Sequence, residues 1–171
     1  GTVFPALGFD KFLNENSMKH QGKIENSRWT SDEQVFAEVQ DQISSSTNPV
    51  FAHVLTMQNH TPFPDGVYSD PIDVKGPEGE DPEMGQWARG LSHTSDALRA
   101  FISKLEDSPE PTILIYYGDH FPPGFSTDLA TFGDRAYETP FVIWSNFGSG
   151  KIDAEDYGTI GPQYLPSIAF E

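Results

Sequence analysis

Three residues carry the most chemistry for their position. Asp119 and His120 stand side by side at the end of the apolar run "ILIYYGDHFP", with Gly118 just before them. A carboxylate beside an imidazole offers two donors to one divalent cation, and glycine lets the backbone turn tightly there. The same residues also serve as a plain strand-to-loop turn, with a locally bonded aspartate and an incidental histidine, because Gly-Asp is a common turn pair. Two ligands alone fall short of a catalytic metal centre, which takes three or more protein ligands and an open position. The third residue is His60, in "TMQNHTPFP". An imidazole there could meet an anionic substrate or give a proton to a leaving oxygen. The competing reading is a loop histidine held by its own backbone.

The other candidates read as structural. His53 sits inside the apolar "VFAHVL" and is expected in the core. His20 and His93 have no supporting neighbours in the sequence and read as structural or solvent-exposed. Arg28 and Trp29 precede a helix start, where a surface charge and an aromatic staple are the expected roles. The acids at 78, 80, 81 and 83 lack the spacing of a calcium loop. There is no G-x-S-x-G elbow, no Walker loop and no H-E-x-x-H. No Ser, Thr or Asp is singled out as a nucleophile by its local sequence.

The elements that must position these residues alternate. "TSDEQVFAEVQDQI" predicts an amphipathic helix, capped by Thr30, Ser31 or Asp32, with Val35, Phe36, Val39 and Ile43 on one face. "VFAHVLTM" predicts a strand. Residues 59–83 are too rich in Pro, Gly and Asp for regular structure, and a loop that long is usually functional or disordered. A helix is expected over 84–107, buried through Trp87, Leu91, Leu98, Phe101, Ile102 and Leu105. "TILIYY" and "PFVIWSN" predict two more strands, separated by a second long loop, and "PQYLPSIAFE" begins another helix. The lead-in "GTVFPALGFDKFLNEN" is irregular, with one turn of helix. Such alternation implies an α/β architecture with helices packed on a largely parallel sheet. Ligands of such sheets sit beyond the carboxyl ends of the strands, where both "QNH" and "GDH" fall.

Composition bounds the partners. The 171 residues carry a formal net charge of −16, which argues against nucleic acid or an anionic membrane surface as a direct partner. Absence of cysteine excludes disulfides, thiolate catalysis and cysteine-based zinc sites. No apolar run reaches the roughly 20 residues of a membrane span. No internal repeat and no signal peptide is visible, so any export or anchoring segment is expected outside this chain.

Taken in order, "FAHVLTMQNHTPF", "ILIYYGDHFP" and "TPFVIWSN" resemble the lipoteichoic acid synthase and phosphoglycerol transferase family, in the sulfatase-like branch of the alkaline phosphatase superfamily. The opening "VFPALGFDKFLNE" is similar to that family's Y-x-x-x-G-F/Y-D-x-F segment. The resemblance implies a partial alkaline-phosphatase-like sandwich, with a mostly parallel central sheet flanked by helices. It implies catalysis on the extracytoplasmic face of a bacterial cell membrane, with one divalent cation, typically Mn2+, with Mg2+ or Zn2+ as alternatives. Asp119 and His120 match the family's paired metal ligands, and His60 its substrate-contacting or proton-donating histidine. The family's threonine nucleophile attacks a lipid phosphodiester to form a phosphoglycerol-enzyme. That threonine, a glutamate ligand and a Trp-x-Arg pair belong to segments preceding "VFPALGF", and Trp29 and Arg28 are not that pair's equivalents. The resemblance therefore implies that residues 1–171 are the carboxy-terminal portion of such a catalytic domain and inactive alone. The implied partner is a lipid phosphodiester or anionic glycopolymer, with no nucleic acid. Alternatives are a sulfatase or phosphodiesterase of the same superfamily, or a non-catalytic module binding a glycopolymer or lipid headgroup. A sheet lacking neighbouring strands would expose an edge open to self-association.

Overall fold

The structure is a computed structural model and describes residues 3–76, 79–120, 133–148 and 157–170. Two compact units divide it, Gly1–Phe101 and Ile102–Glu171, and each is described by itself.

In the first unit, a single helical turn, α1 (Val3–Ala6), opens an aromatic lead-in. Phe4 stacks on Phe12 at 5.2 Å and meets Phe9 edge-on at 5.6 Å. The first long helix, α2 (Asp32–Ser45), starts where Ser31 accepts the Gln34 amide at its hydroxyl, with Asp32 and Glu33 in the first turn. That cap supplies one of the helix's orphan N–H partners, and the acids suit its dipole. Val35 and Phe36 are buried. Phe36 stacks on Phe101 of α3 (Pro82–Glu106), with ring centroids 5.1 Å apart. Proline opens α3, and Asp81 just before it accepts the Met84 amide at 3.0 Å.

The buried side of α3 differs from the expected apolar stripe. Leu91 is exposed, whereas Met84, Gln86, Gly90, Thr94 and Phe101 are buried. The first half of α3 therefore buries small and polar residues against the segment that follows Gln58. Gln86 accepts the Tyr68 amide at 2.8 Å and donates to the Tyr68 carbonyl at 3.3 Å. Arg89 bonds the Asp70 carbonyl at 2.7 Å and its carboxylate at 2.8 Å. Gly85 lies so close that a Cβ there would meet the Ile72 carbonyl oxygen at 2.5 Å. The segment expected as a long loop is thus pinned along α3 largely by side chains, with one backbone bond from the Ile72 amide to the Gly85 carbonyl at 3.2 Å. It includes a cis Thr61–Pro62 bond and a two-residue antiparallel ladder, β1 (Lys75–Gly76) with β2 (Gly79–Glu80).

The strand expected over 50–57 does not form a ladder. Residues 50–56 make no backbone hydrogen bond among the described residues, and Phe51 and Leu55 are 81% and 65% exposed. Its β-branched and aromatic composition suits a strand, but a strand needs a neighbour to take its N–H and C=O groups. His53 is accordingly exposed, lying beside the Phe4 and Phe9 rings, and is not a core histidine.

In the second unit, β3 (Ile113–Tyr117) pairs with β4 (Phe141–Ser145), Ile115 facing Ile143. The pair is antiparallel, where a mostly parallel sheet was expected, and no parallel pair occurs among the described residues. Sheets that are otherwise parallel often carry an antiparallel edge strand. A short helix, α4 (Leu165–Ala169), packs against β3 and buries Leu165. Asn146, just past β4, ties the unit together. Its Oδ1 accepts the Thr112 amide at 2.8 Å, and its Nδ2 reaches the carbonyls of Leu105, Ser108 and Glu110 at 2.8, 3.2 and 2.9 Å. One side-chain amide thereby ties the turn that follows α3 to the residue after β4.

Candidate functional site

His60 closes a tight turn, its amide bonded to the Met57 carbonyl at 2.9 Å. The ring is exposed. Its Nδ1 lies 2.7 Å from the Thr61 carbonyl. A carbonyl oxygen only accepts, so Nδ1 carries a proton and Nε2 is the unprotonated nitrogen of the neutral ring. Trp29 supports the turn from the other side. Its indole Nε1–H donates to the His60 carbonyl at 3.0 Å, and the two rings meet edge-on at 5.5 Å. The Arg28 guanidinium lies over the Trp29 ring, 4.4 Å from its centroid. Trp29 therefore braces His60, a role the staple reading did not anticipate. A cleft of about 80 Å³ opens here, with Arg28, Trp29, Asn59, His60, Pro62 and Tyr68 among its lining residues.

Asp119 and His120 follow β3 directly. The strand ends as the Gly118 amide bonds the Pro140 carbonyl at 3.2 Å and the Thr139 hydroxyl donates to the Gly118 carbonyl at 2.6 Å. A Cβ on residue 118 would come within 3.1 Å of Thr139, which accounts for glycine at this close approach. Both side chains are more than half exposed. Asp119 Oδ1 accepts the His120 amide at 3.0 Å, and Oδ2 lies 3.7 Å from His120 Nε2. That separation is within what two ligands of one cation span, since donor-to-metal distances are about 2.0–2.2 Å. The carboxylate and imidazole are chemically suited to such an ion. Among the described residues, no group of three or more His, Asp or Glu side chains is gathered to hold a metal. Residues 121–132, part of the segment expected as the second loop, lie outside the described residues.

His20 and His93 each have a neighbour among the described residues. His20 Nε2 lies 3.3 Å from Asp41 Oδ2, and the His93 ring packs against Tyr68 at 5.2 Å. A polar cluster behind the His60 turn gave no signal in the sequence patterns. Asp32 is fully buried. Burial pushes its carboxyl above the usual carboxylate range, opposed by a hydrogen bond from the Thr94 hydroxyl.

The model of the sulfatase family matches residues 1–167. The chain belongs to the sulfatase family. The chain is also similar to individual proteins. A putative cyclic beta-1,2-glucan modification protein of Rhizobium meliloti is 29% identical over 95% of this chain and 28% of that protein. The lipoteichoic acid synthase of Staphylococcus saprophyticus is 24% identical over 70% of this chain and 18% of that protein. Among solved structures, the Streptococcus pyogenes phosphoglycerol transferase GacH, in complex with sn-glycerol-1-phosphate, matches 99% of this chain and 44% of its own, with a TM-score of 0.70 and 29% identity. The chain is thus an α/β member of the lipoteichoic acid synthase and sulfatase-like family, with the fold of a phosphoglycerol transferase. It spans less than a third of the length of these two relatives. No helix among the described residues is long and apolar enough to cross a membrane.

Proposed function

We propose that residues 1–171 are the carboxy-terminal portion of the catalytic domain of a metal-dependent phosphoglycerol transferase. The enzyme works on the extracytoplasmic face of a bacterial cell membrane, and its donor is a phosphatidylglycerol-type phosphodiester. The observation that supports this most is the match to the phosphoglycerol transferase fold across 99% of the chain. In this reading a hydroxyl nucleophile outside these residues forms a bond to phosphorus as the bond to the diacylglycerol oxygen breaks. That oxygen takes a proton. His60 suits the donor role, because with Nδ1 fixed on the Thr61 carbonyl its imidazolium presents Nε2–H outward. Asp119 and His120 are the residues that would hold a divalent cation, Mn2+ above Mg2+ or Zn2+, and the bound ion supplies neutralisation of charge on the phosphoryl oxygens. Gly118 and Thr139 fix where the pair emerges from β3.

A second reading of the acceptor has its own support. The relative aligned over 95% of this chain is named for modification of a cyclic glucan, so the phosphoglycerol group passes either to a growing glycerol phosphate chain or to a glucan hydroxyl. Transfer from a labelled phosphatidylglycerol analogue tests the account. The full-length protein is expected to release diacylglycerol, His120→Ala to abolish this, and residues 1–171 alone to be inactive. Turnover by residues 1–171 alone would refute the partial-domain reading. Cleavage of sulfate esters in preference to the lipid would place the protein with the sulfatases.

A further inference from the structure

His60 owes its position to the two residues before it, and both turn their side chains inward. Gln58 is buried. Its Oε1 accepts the Asp32 amide at the start of α2, 2.9 Å away. Its Nε2 donates to the Gly90 carbonyl at 2.9 Å and to Thr94 Oγ1 at 3.1 Å, both on α3. Asn59 Nδ2 donates to the same Thr94 oxygen at 2.7 Å. The Thr94 hydroxyl in turn donates to Asp32 Oδ2 at 2.6 Å. A hydroxyl has one donor and two acceptor sites, and at Thr94 all three are used. The backbone fits around this: a Cβ on residue 90 would meet Asn59 Oδ1 at 2.5 Å.

Stability alone does not account for this network. Asn59 Oδ1 is buried without a hydrogen-bond partner among the described residues, and burial disfavours charge on the Asp32 carboxyl. Apolar residues of similar volume would avoid that penalty. What the network does is fix Gln58 to α2 and α3 at once and Asn59 to α3, while Trp29 holds the carbonyl of the next residue, His60. Buried polar networks of this kind specify one arrangement.

We propose that Thr94, with Asp32, Gln58 and Asn59, is a positioning device that sets the His60 imidazole, Thr94 being the shared node. The catalytic use of His60 rests on the function proposed above, whereas its positioning does not, and the test keeps the two apart. The experiment is 15N NMR of the His60 ring in the 171-residue chain without substrate, together with exchange of the Trp29 indole proton. Wild type is expected to show the Nδ1–H tautomer and a slowly exchanging indole. Thr94→Ser keeps the hydroxyl and is expected to preserve both. Thr94→Val is expected to give the mixed tautomers of a free imidazole and about tenfold faster indole exchange, the equivalent of one lost hydrogen bond. Gly90→Ala supplies a second route that favours the helix, since alanine is the better helix former, yet drives a methyl into Asn59. It is expected to disturb His60 in the same way, and it decides the matter if the valine variant does not fold. Unchanged His60 and Trp29 signals in folded Gly90→Ala or Thr94→Val would overturn the proposal. The function is read separately, by adding sn-glycerol-1-phosphate to wild type and following Nε2. A silent Nε2 counts against substrate contact and leaves the tautomer result standing.

Discussion

Asp32 and Glu38 are both buried on α2, but their surroundings differ. For Asp32 burial dominates and raises its carboxyl pKa. Burial also opposes charge on Glu38, yet hydrogen bonds outweigh it and hold that carboxyl below its ordinary value. The Lys19 amide donates to it at 2.8 Å, Gln42 at 3.0 Å and the His20 amide at 3.4 Å. By linkage the two act in opposite directions. The Asp32 contribution is fully present below the usual carboxylate range and is lost as pH rises through its raised folded value. The Glu38 contribution is present above that range and is lost as pH falls through its lowered folded value. Thermal unfolding at a series of pH values should therefore show Glu38→Gln with a flatter acid limb. Asp32→Asn should lack the loss of stability expected of wild type as pH rises above the usual carboxylate range. Unaltered pH profiles in both variants would contradict these assignments.

At the scale of elements, α3 is held by close approach as much as by apolar contact. Gly85→Ala would gain about 1 kcal/mol in helix propensity. It would also press a methyl against the Ile72 carbonyl oxygen, a backbone atom that cannot rotate away, and overpacking costs about 1–3 kcal/mol. Urea unfolding is expected to show net destabilisation by about 1 kcal/mol; a stabilised variant would show that the approach is looser than the geometry indicates. The same face explains what was legible in the sequence. Helices α2 and α3 and strands β3 and β4 follow their apolar periods, so their existence could be read directly. The polar half of α3 could not, because Gln86, Gly90 and Thr94 are buried through hydrogen bonds and small size, properties that an apolar period does not count. Leu91 fits that period and is exposed. The direction of β4 was illegible for another reason: alternation along one strand says nothing about its partner's polarity. At the site, the types of Asp119, His120 and His60 were visible, but the brace from Trp29 depends on a turn more than thirty residues from it in sequence.

At the scale of the molecule, residues 50–56 combine a strand-forming composition with a backbone that makes no backbone hydrogen bond among the described residues, and Phe51, Val54 and Leu55 are exposed. Such an edge pairs readily with another chain. Sedimentation is expected to show concentration-dependent self-association of the 171-residue chain, reduced by Phe51→Lys with Leu55→Lys. A monomer at all concentrations would remove that expectation. Against a net charge of −16, any cation will gather loosely on the surface, so the central claim needs a readout that reports place as well as binding. Line broadening by substoichiometric Mn2+ in the NMR spectrum of this chain provides it. The account predicts that Asp119 and His120 broaden first and that Asp119→Ala abolishes this preference. Broadening centred on other residues, or spread evenly over the acidic surface while His120 stays sharp, would contradict it.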